Sequence, residues 1–330
     1  MANIKEIYSG ILSGLHTEPP DLTMSKKLVI NVAPTGSFTN RQQNPNQPYT
    51  MQENVKAAVE ACQAGAAVWH VHTREADGIP SREPAIVKET IERVFEKCPD
   101  IVTSVLTYTD FTKQGADHLK PCVEYLKAAG PRYIQTTPLN VQSIAKKGIY
   151  TRLITEKTFS DMIRYLESRN VRPEFQCDEY GGQRNVEDWL IKTGIVKGPP
   201  LLNLMAGFHG TTFASPAAGD PWKFTYVASI LQSFPKNATM GVCAGGRNWF
   251  PFTVFAMMLG VDMVRVGMED SVYVYPHRDE KLTTPAEAVK MIVEAAHILG
   301  RKIATPDEAR EIMGISLDPV APLNETGVAH

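Results

Sequence analysis

The chain has 330 residues, a formal net charge of −2 and a pI near 6.5, with 21% charged and 43% apolar residues. That balance fits a globular enzyme and excludes a general nucleic-acid binder, because no long basic run is present. Five scattered cysteines with no CxxC pair exclude a disulfide framework, and no apolar run of about 18 residues offers a membrane span.

The first 26 residues carry acids early, have no long apolar core, and do not read as a signal peptide. They read as an N-terminal extension, followed by one catalytic domain over residues 27–330, in a reduced cytoplasmic protein with no membrane partner. Residues 27–34 (KLVINVAP) are β-branched and apolar, the pattern of a strand; residues 52–65 carry helical spacing and stop at Gly65. Residues 66–72 (AAVWHVH) form the second strand, and residues 81–98 a helix with Pro84 near its start. Strands then follow at 101–106, 132–137, 173–177, 200–207, 238–243 and 261–267. Helices alternate with them at 113–130, 155–170, 185–194, 221–234, 249–260 and 284–300, with a last short helix at 305–314. Eight strands, each followed by a helix, predict an α/β fold of the (β/α)8 TIM-barrel type with an extra C-terminal helix. An open doubly wound sheet is the alternative, but "NVAPTGSFTN" lacks the GxGxxG expected after its first strand.

In such a barrel the active site stands at the C-terminal ends of the strands. The chain places there Thr35 to Phe38, His70 to Glu75, Leu106 to Thr109, Thr136 and Thr137, Asp178 and Glu179, Gly207 and His209, Gly245 to Arg247, and Arg265 with Glu269 and Asp270. Alternation along a strand puts His70 and His72 on one face, toward the barrel mouth, with Trp69 and Val71 toward the helices. Two imidazoles side by side repel when protonated and leave buried nitrogens unsatisfied when neutral. A divalent cation removes both problems, with a carboxylate or another His from a different strand end as third ligand, for which strand eight offers Glu269 and Asp270, and one open position. The alternative is one imidazole bonded locally and the other in solvent. Arg265 lies inside an apolar strand and needs a buried partner, for which Asp270 is the nearest choice. That pair is either a structural ion pair or an Arg-held general base beside the metal.

"VAPTG" (32–36), "NPNQPYT" (44–50), the HxH strand with "DGIPSREP" (77–84), "GGRNWFPFTVFAMMLG" (245–260), "VRVGMED" (264–270) and "ILGRKIATPDEAREIMGI" (298–315) occur in an order that resembles the β-keto acid cleavage enzymes, from about Lys27 to Ile315. The resemblance implies a TIM barrel with one Zn²⁺ per subunit, in a homo-oligomer such as a dimer or tetramer. It places the metal ligands on His70, His72 and Glu269, and the catalytic Arg–Asp pair on Arg265 and Asp270. It implies acyl transfer between a β-keto acid and acetyl-CoA, giving acetoacetate and a new acyl-CoA by a retro-Claisen step. A β-keto acid suits such a site because it chelates a divalent metal through its keto and carboxylate oxygens, and no organic cofactor is required.

Where a member of that family uses a Glu near the end of strand one for its substrate's ammonium group, Phe38 stands here, which predicts a β-keto acid without a primary amine. The family's Ser-Thr-Gly-Gly loop after strand three reads Leu106-Thr107-Tyr108-Thr109, so Thr107 and Thr109 take over the substrate carboxylate. Thr136 falls at the family's second hydroxyl position, and Arg247, after two glycines at a helix start, is placed to touch substrate or CoA. His209 reads as a loop-packing side chain, Asp178 and Glu179 as surface carboxylates, and Cys177 and Cys243 as buried apolar groups. Two other readings stay open: a metal-dependent hydrolase of the amidohydrolase kind, which also begins with HxH, and a barrel that binds CoA esters or a metal without catalysis.

Overall fold

In the computed structural model, which describes residues 4, 24–36, 38–75, 77–81, 83–106, 120–121, 124–127, 133–140, 156–177, 180–207 and 221–317, the expected strands close into a barrel. They are β1 (Val29–Val32), β2 (Val68–Val71), β5 (Val102–Val105), β6 (Thr136–Asn140), β7 (Arg172–Cys177), β8 (Leu201–Ala206), β9 (Thr239–Ala244) and β10 (Met263–Val266). All eight run parallel, and the ring closes where β1 pairs with both β2 and β10. Two short strands the sequence did not announce, β3 (Thr73–Arg74) and β4 (Pro80–Ser81), form an antiparallel pair just past β2. Most of the expected N-terminal extension lies outside the described residues, as do Ser37, Thr107, Thr109, Asp178, Glu179 and His209.

Local chemistry starts the helices where the sequence places them. Before α1 (Met51–Gln63), Thr50 and Glu53 cap each other's backbone N–H. Pro84 opens α2 (Pro84–Phe95) at the first turn, where its missing N–H costs nothing. Along the rest of the chain follow α3 (Glu156–Ser168), α4 (Tyr180–Val186), α5 (Phe224–Gln232), α6 (Trp249–Met258), α7 (Pro285–Ile298) and α8 (Pro306–Met313). Among the described residues no helix is long and apolar enough to cross a membrane.

Two boundaries differ from expectation. The fourth barrel strand was expected at 132–137 but occupies Thr136–Asn140, continuing through Pro138. A proline removes only one ladder donor, and the pairing with β7 carries on through Leu139 and Asn140. The helix expected at 185–194 begins earlier, at Tyr180, and widens into a π-turn over Glu187–Ile191.

Alternation divides the strands between two cores. Outward residues such as Ile30, Trp69, Phe175 and Val264 pack with the surrounding helices. Inward residues at the N-terminal end, among them Val29, Val68, Val102, Leu201 and Met263, cluster with Ala309 and Met313 of α8. That helix therefore plugs the bottom of the barrel, capped by a Thr305–Glu308 box at its start and by Gly314 at φ +67° at its end. The opposite end stays free to hold chemistry.

Candidate metal centre

His70 ends one turn of the pleat below His72, and the two side chains meet above the barrel axis. Their Nε2 atoms are 3.0 Å apart, with the ring planes at 70°. Glu269 completes a triangle: its Oε1 is 3.2 Å from His72 Nε2 and its Oε2 is 3.5 Å from His70 Nε2. These three buried side chains form the group of His, Cys, Asp or Glu able to hold a metal ion among the described residues. Two donors bound to one tetrahedral zinc at about 2.1 Å stand about 3.4 Å from each other, so the triangle has the span such an ion needs. The donor chemistry agrees, because two nitrogens and one carboxylate leave a fourth position for substrate.

The chain positions each corner from a different element. Ser104 lies beside His70 in the β2–β5 register, and its Oγ is 3.3 Å from His70 Nδ1, which leaves Nε2 directed at the triangle. Asn54, on the buried face of α1, donates from Nδ2 to the His72 carbonyl at 2.5 Å. Glu269 arrives from the turn after β10. Gly267, at φ +142° and with no room for a Cβ against the Ala33 carbonyl, lets the chain double back so that Glu269 N bonds Ala33 O at 3.1 Å. Gly36 is packed so closely on the Glu269 carboxyl that a Cβ there would overlap it.

Arg265 sits beneath the triangle, 2% exposed. It holds Asp270 in a two-pronged pair, Nε to Oδ2 at 3.0 Å and Nη2 to Oδ1 at 2.7 Å, and also stands 2.8 Å from Glu269 Oε2. The contact to Glu269 Oε2 is an ion pair off the hydrogen-bond direction, so that buried oxygen has charge compensation but no bonded donor. An unbonded buried carboxylate oxygen 3.5 Å from an imidazole nitrogen, on a carboxylate whose other oxygen faces a second imidazole, is what a metal ligand looks like.

Electrostatics sorts the protonation states. Burial drives His70 well below the usual imidazole value, and the Arg265 charge adds to it, so the ring is neutral and ready to ligate. For Glu269 burial works in the opposite direction, but Arg265 and the two histidines outweigh it and keep the carboxyl ionised. Asp270 is pushed up to about 6 by burial, with Glu269 adding repulsion and Arg265 opposing. Cys243 lies next to Asp270, and burial raises its thiol far out of reach of ionisation, as a buried apolar role requires.

The remaining expected site residues are dispersed. Phe38 is on the β1 loop and about half exposed. Behind it Thr39 Oγ1 donates to Met268 O at 2.6 Å, which ties the loop to the turn that carries Glu269. The Thr136 hydroxyl donates to the Arg172 carbonyl at 2.7 Å. Arg247 stands at the rim, stacked 3.7 Å over Tyr273 and bonded to Arg278 O at 2.8 Å and Asp279 at 2.5 Å. Ser104 and Asn54 were not singled out from the sequence. The one available signal was for Asn54, an amide on the otherwise alanine-rich buried face of α1.

A sequence model of the beta-keto acid cleavage enzyme family matches residues 27–315. The chain is 31% identical over 294 residues to the 3-keto-5-aminohexanoate cleavage enzyme of Acetoanaerobium sticklandii, covering 88% of this chain and 99% of that one. It is 27% identical over 318 residues to the 3,5-dioxohexanoate:acetyl-CoA acetone transferase of Paraburkholderia graminis, covering 88% and 97%. Among solved structures it is similar to the apo structure of ObcA, with a TM-score of 0.64 at 17% identity. That match takes in 82% of this chain and 66% of the longer ObcA chain, and it bears on the fold alone.

Proposed function

Because the chain belongs to the β-keto acid cleavage enzyme family, we propose that it is a zinc-dependent transferase. It takes a β-keto acid without a primary amine and acetyl-CoA, and gives acetoacetate and the acyl-CoA of the remaining fragment. The observation that carries this reading is the convergence of His70, His72 and Glu269 with Arg265, which stands 2.8 Å from Glu269 Oε2 and 2.7 Å from Asp270 Oδ1. Atoms balance as an exchange. The carboxymethyl unit of R–CO–CH2–COO⁻ passes to the acetyl group, and the CoA thiol passes to R–CO.

A divalent ion held by His70, His72 and Glu269 would supply Lewis acidity to the keto and carboxylate oxygens of the substrate. The protein's own groups do the rest. Asp270, oriented through both oxygens by Arg265, takes a proton from the carbon between the two carbonyls, directly or through a water. The carbon so freed attacks the thioester carbonyl, and the CoA thiolate leaves. The thiolate then attacks the original keto carbon, the C–C bond to the acetylated carboxymethyl unit breaks, and Asp270 returns its proton to the carbon so released, giving acetoacetate. Arg265 remains charged throughout, since the two carboxylates beside it outweigh its burial and raise it well above its usual value. Phe38, half exposed on the β1 loop, faces the acyl tail in this reading and favours an apolar, aromatic or quaternary-ammonium group there over a primary ammonium. The family resemblance extends the proposal to a cytoplasmic homo-oligomer, a dimer or tetramer.

The test is a steady-state panel of β-keto acids with acetyl-CoA, read as acetoacetate formed. The reading expects turnover that a chelator abolishes and zinc restores, with non-amino substrates preferred. A clear preference for the amino substrate would refute the tail assignment, and no acetoacetate from any substrate would refute the transferase.

A further inference from the structure

Two of the sequence stretches, residues 44–50 and 77–84, supply no group to the metal triangle or to the Arg265–Asp270 pair. Both converge instead on Arg74. This residue follows the metal strand, two positions after His72, and is 8% exposed. Its guanidinium spends its donors on four neutral oxygens: Nε on Thr35 Oγ1 at 2.8 Å, Nη1 on Gly78 O at 2.7 Å, and Nη2 on Thr39 O at 3.0 Å and on Gly36 O. The Tyr49 ring lies 4.6 Å from its guanidinium carbon and 4.5 Å from that of Arg41. Gly78, at φ +87°, has no Cβ because one would strike that tyrosine ring. Gln47 Nε2 reaches the same Thr35 hydroxyl at 2.9 Å.

We propose that Arg74 is a positioning residue, which fixes Thr35, Gly36 and Thr39 and, through Gly36, holds the Glu269 carboxylate in the triangle with His70 and His72. The inference deepens the proposed function and rests on its reading of those three side chains as the metal centre. The mechanism is direct. Gly36 presents its bare Cα to Glu269, and a carbonyl bonded to Arg74 fixes that glycine's orientation. Thr39, held by Arg74 through its carbonyl, returns through its hydroxyl to Met268, next to Glu269. The loop is therefore pinned at both ends by one side chain and carries Phe38 between the pins. Only a planar fork reaches four oxygens at once, and a lysine ammonium at this place would reach one or two.

Hydrogen exchange and zinc affinity test this on Arg74→Lys and Arg74→Ala, with Arg301→Lys as a buried-arginine control at the other end of the barrel. Amides of residues 35–40 are expected to exchange at least about tenfold faster in both Arg74 variants, while those of β5 and β10 keep their wild-type protection. Zinc, measured by competition with a chromophoric chelator, is expected to bind about tenfold more weakly, the usual cost of losing an outer-shell support. Millimolar guanidinium is expected to restore both properties to Arg74→Ala, and ammonium to restore neither. Arg301→Lys is expected to lower the Tm with no change in the loop or in zinc binding. Should Arg74→Ala not fold, Thr35→Val removes one of the four acceptors and carries the same measurements with a smaller rise. Unchanged loop exchange and zinc affinity in a folded Arg74 variant, or a loosening spread evenly over the barrel, overturns the inference. A wild-type enzyme that makes no acetoacetate sinks the transferase reading and leaves the loop and zinc results to decide on Arg74 by themselves.

Discussion

Both ends of the barrel bury arginines, and what surrounds those arginines separates a structural end from a chemical one. At the bottom, Arg301 donates to the carbonyls of Lys26, Met257 and Val261 at 2.9, 3.2 and 2.6 Å. Arg310 of α8 donates to Gln135 Oε1 at 3.0 Å and to Asp100 O at 2.6 Å. Apart from the exposed Asp307 carboxylate, which Arg310 also meets at 2.8 Å, these partners are carbonyls and an amide that do not titrate. At the mouth, Arg265 faces two carboxylates, with two imidazoles beyond them. Its register neighbour Asn31 is fully buried with neither side-chain atom bonded. A buried guanidinium among carbonyls closes a fold, whereas one among titratable groups keeps charge poised where a reaction will need it. Arg74 is the intermediate case, with bottom-type partners at the mouth, which is why it reads as a support.

The contrast can be broken at several points. The largest effect is expected from Asp270→Asn, which keeps the shape of the Arg265 pair and removes the base. Turnover should fall by about 10²–10⁴-fold with zinc content unchanged, measured by initial rates and metal analysis. Arg301→Ala should do the reverse, costing about 3 kcal/mol in denaturant unfolding by stranding two buried carbonyls and one partly buried, with zinc affinity as in wild type. Gly36→Ala sharpens the picture, since its new methyl would displace the Glu269 carboxyl while the fold below is untouched. Zinc affinity should drop at least about tenfold with little change in Tm, as read by chelator competition and calorimetry.

The smallest effect lies at the α1 cap. Burial alone raises the Glu53 carboxyl, but the Thr50 and Tyr49 N–H groups and Arg41 outweigh it and hold it at about 2. Its folded value lies below its unfolded one, so its contribution is complete above the unfolded value and fades as pH falls toward about 2. Glu53→Gln should therefore be less stable near neutrality, by roughly 1 kcal/mol or less for a half-exposed cap, and the gap should close in acid. Urea titrations at pH 7 and pH 2.5 would show it.

Much of this architecture is legible in the chain before folding. The β-branched runs, the Thr-x-x-Glu caps and the prolines at helix starts are local signals, and the barrel follows from their alternation. His70 and His72 are legible as a pair because a strand repeats every two residues. Glu269 was one of two neighbouring carboxylates open to the residue-level reading, and only the turn at Gly267 decides which of the two faces the histidines. Gly36, Ser104, Asn54 and Arg74 were silent as to role. Each acts through a partner more than 15 residues away, and no periodicity encodes such a contact. Pro138 hid the end of its strand, because a proline normally marks an edge.

The central claim is that two imidazoles of one strand and a carboxylate from the last share one ion. Zinc titration of the chelator-treated protein, alongside His70→Ala, His72→Ala and Glu269→Gln, tests it most directly. The account predicts one zinc per chain in the wild type, and a loss in each variant larger than the about 100-fold that an outer-shell change can cause. A wild type that binds no dication, or variants that bind zinc as it does, would contradict it.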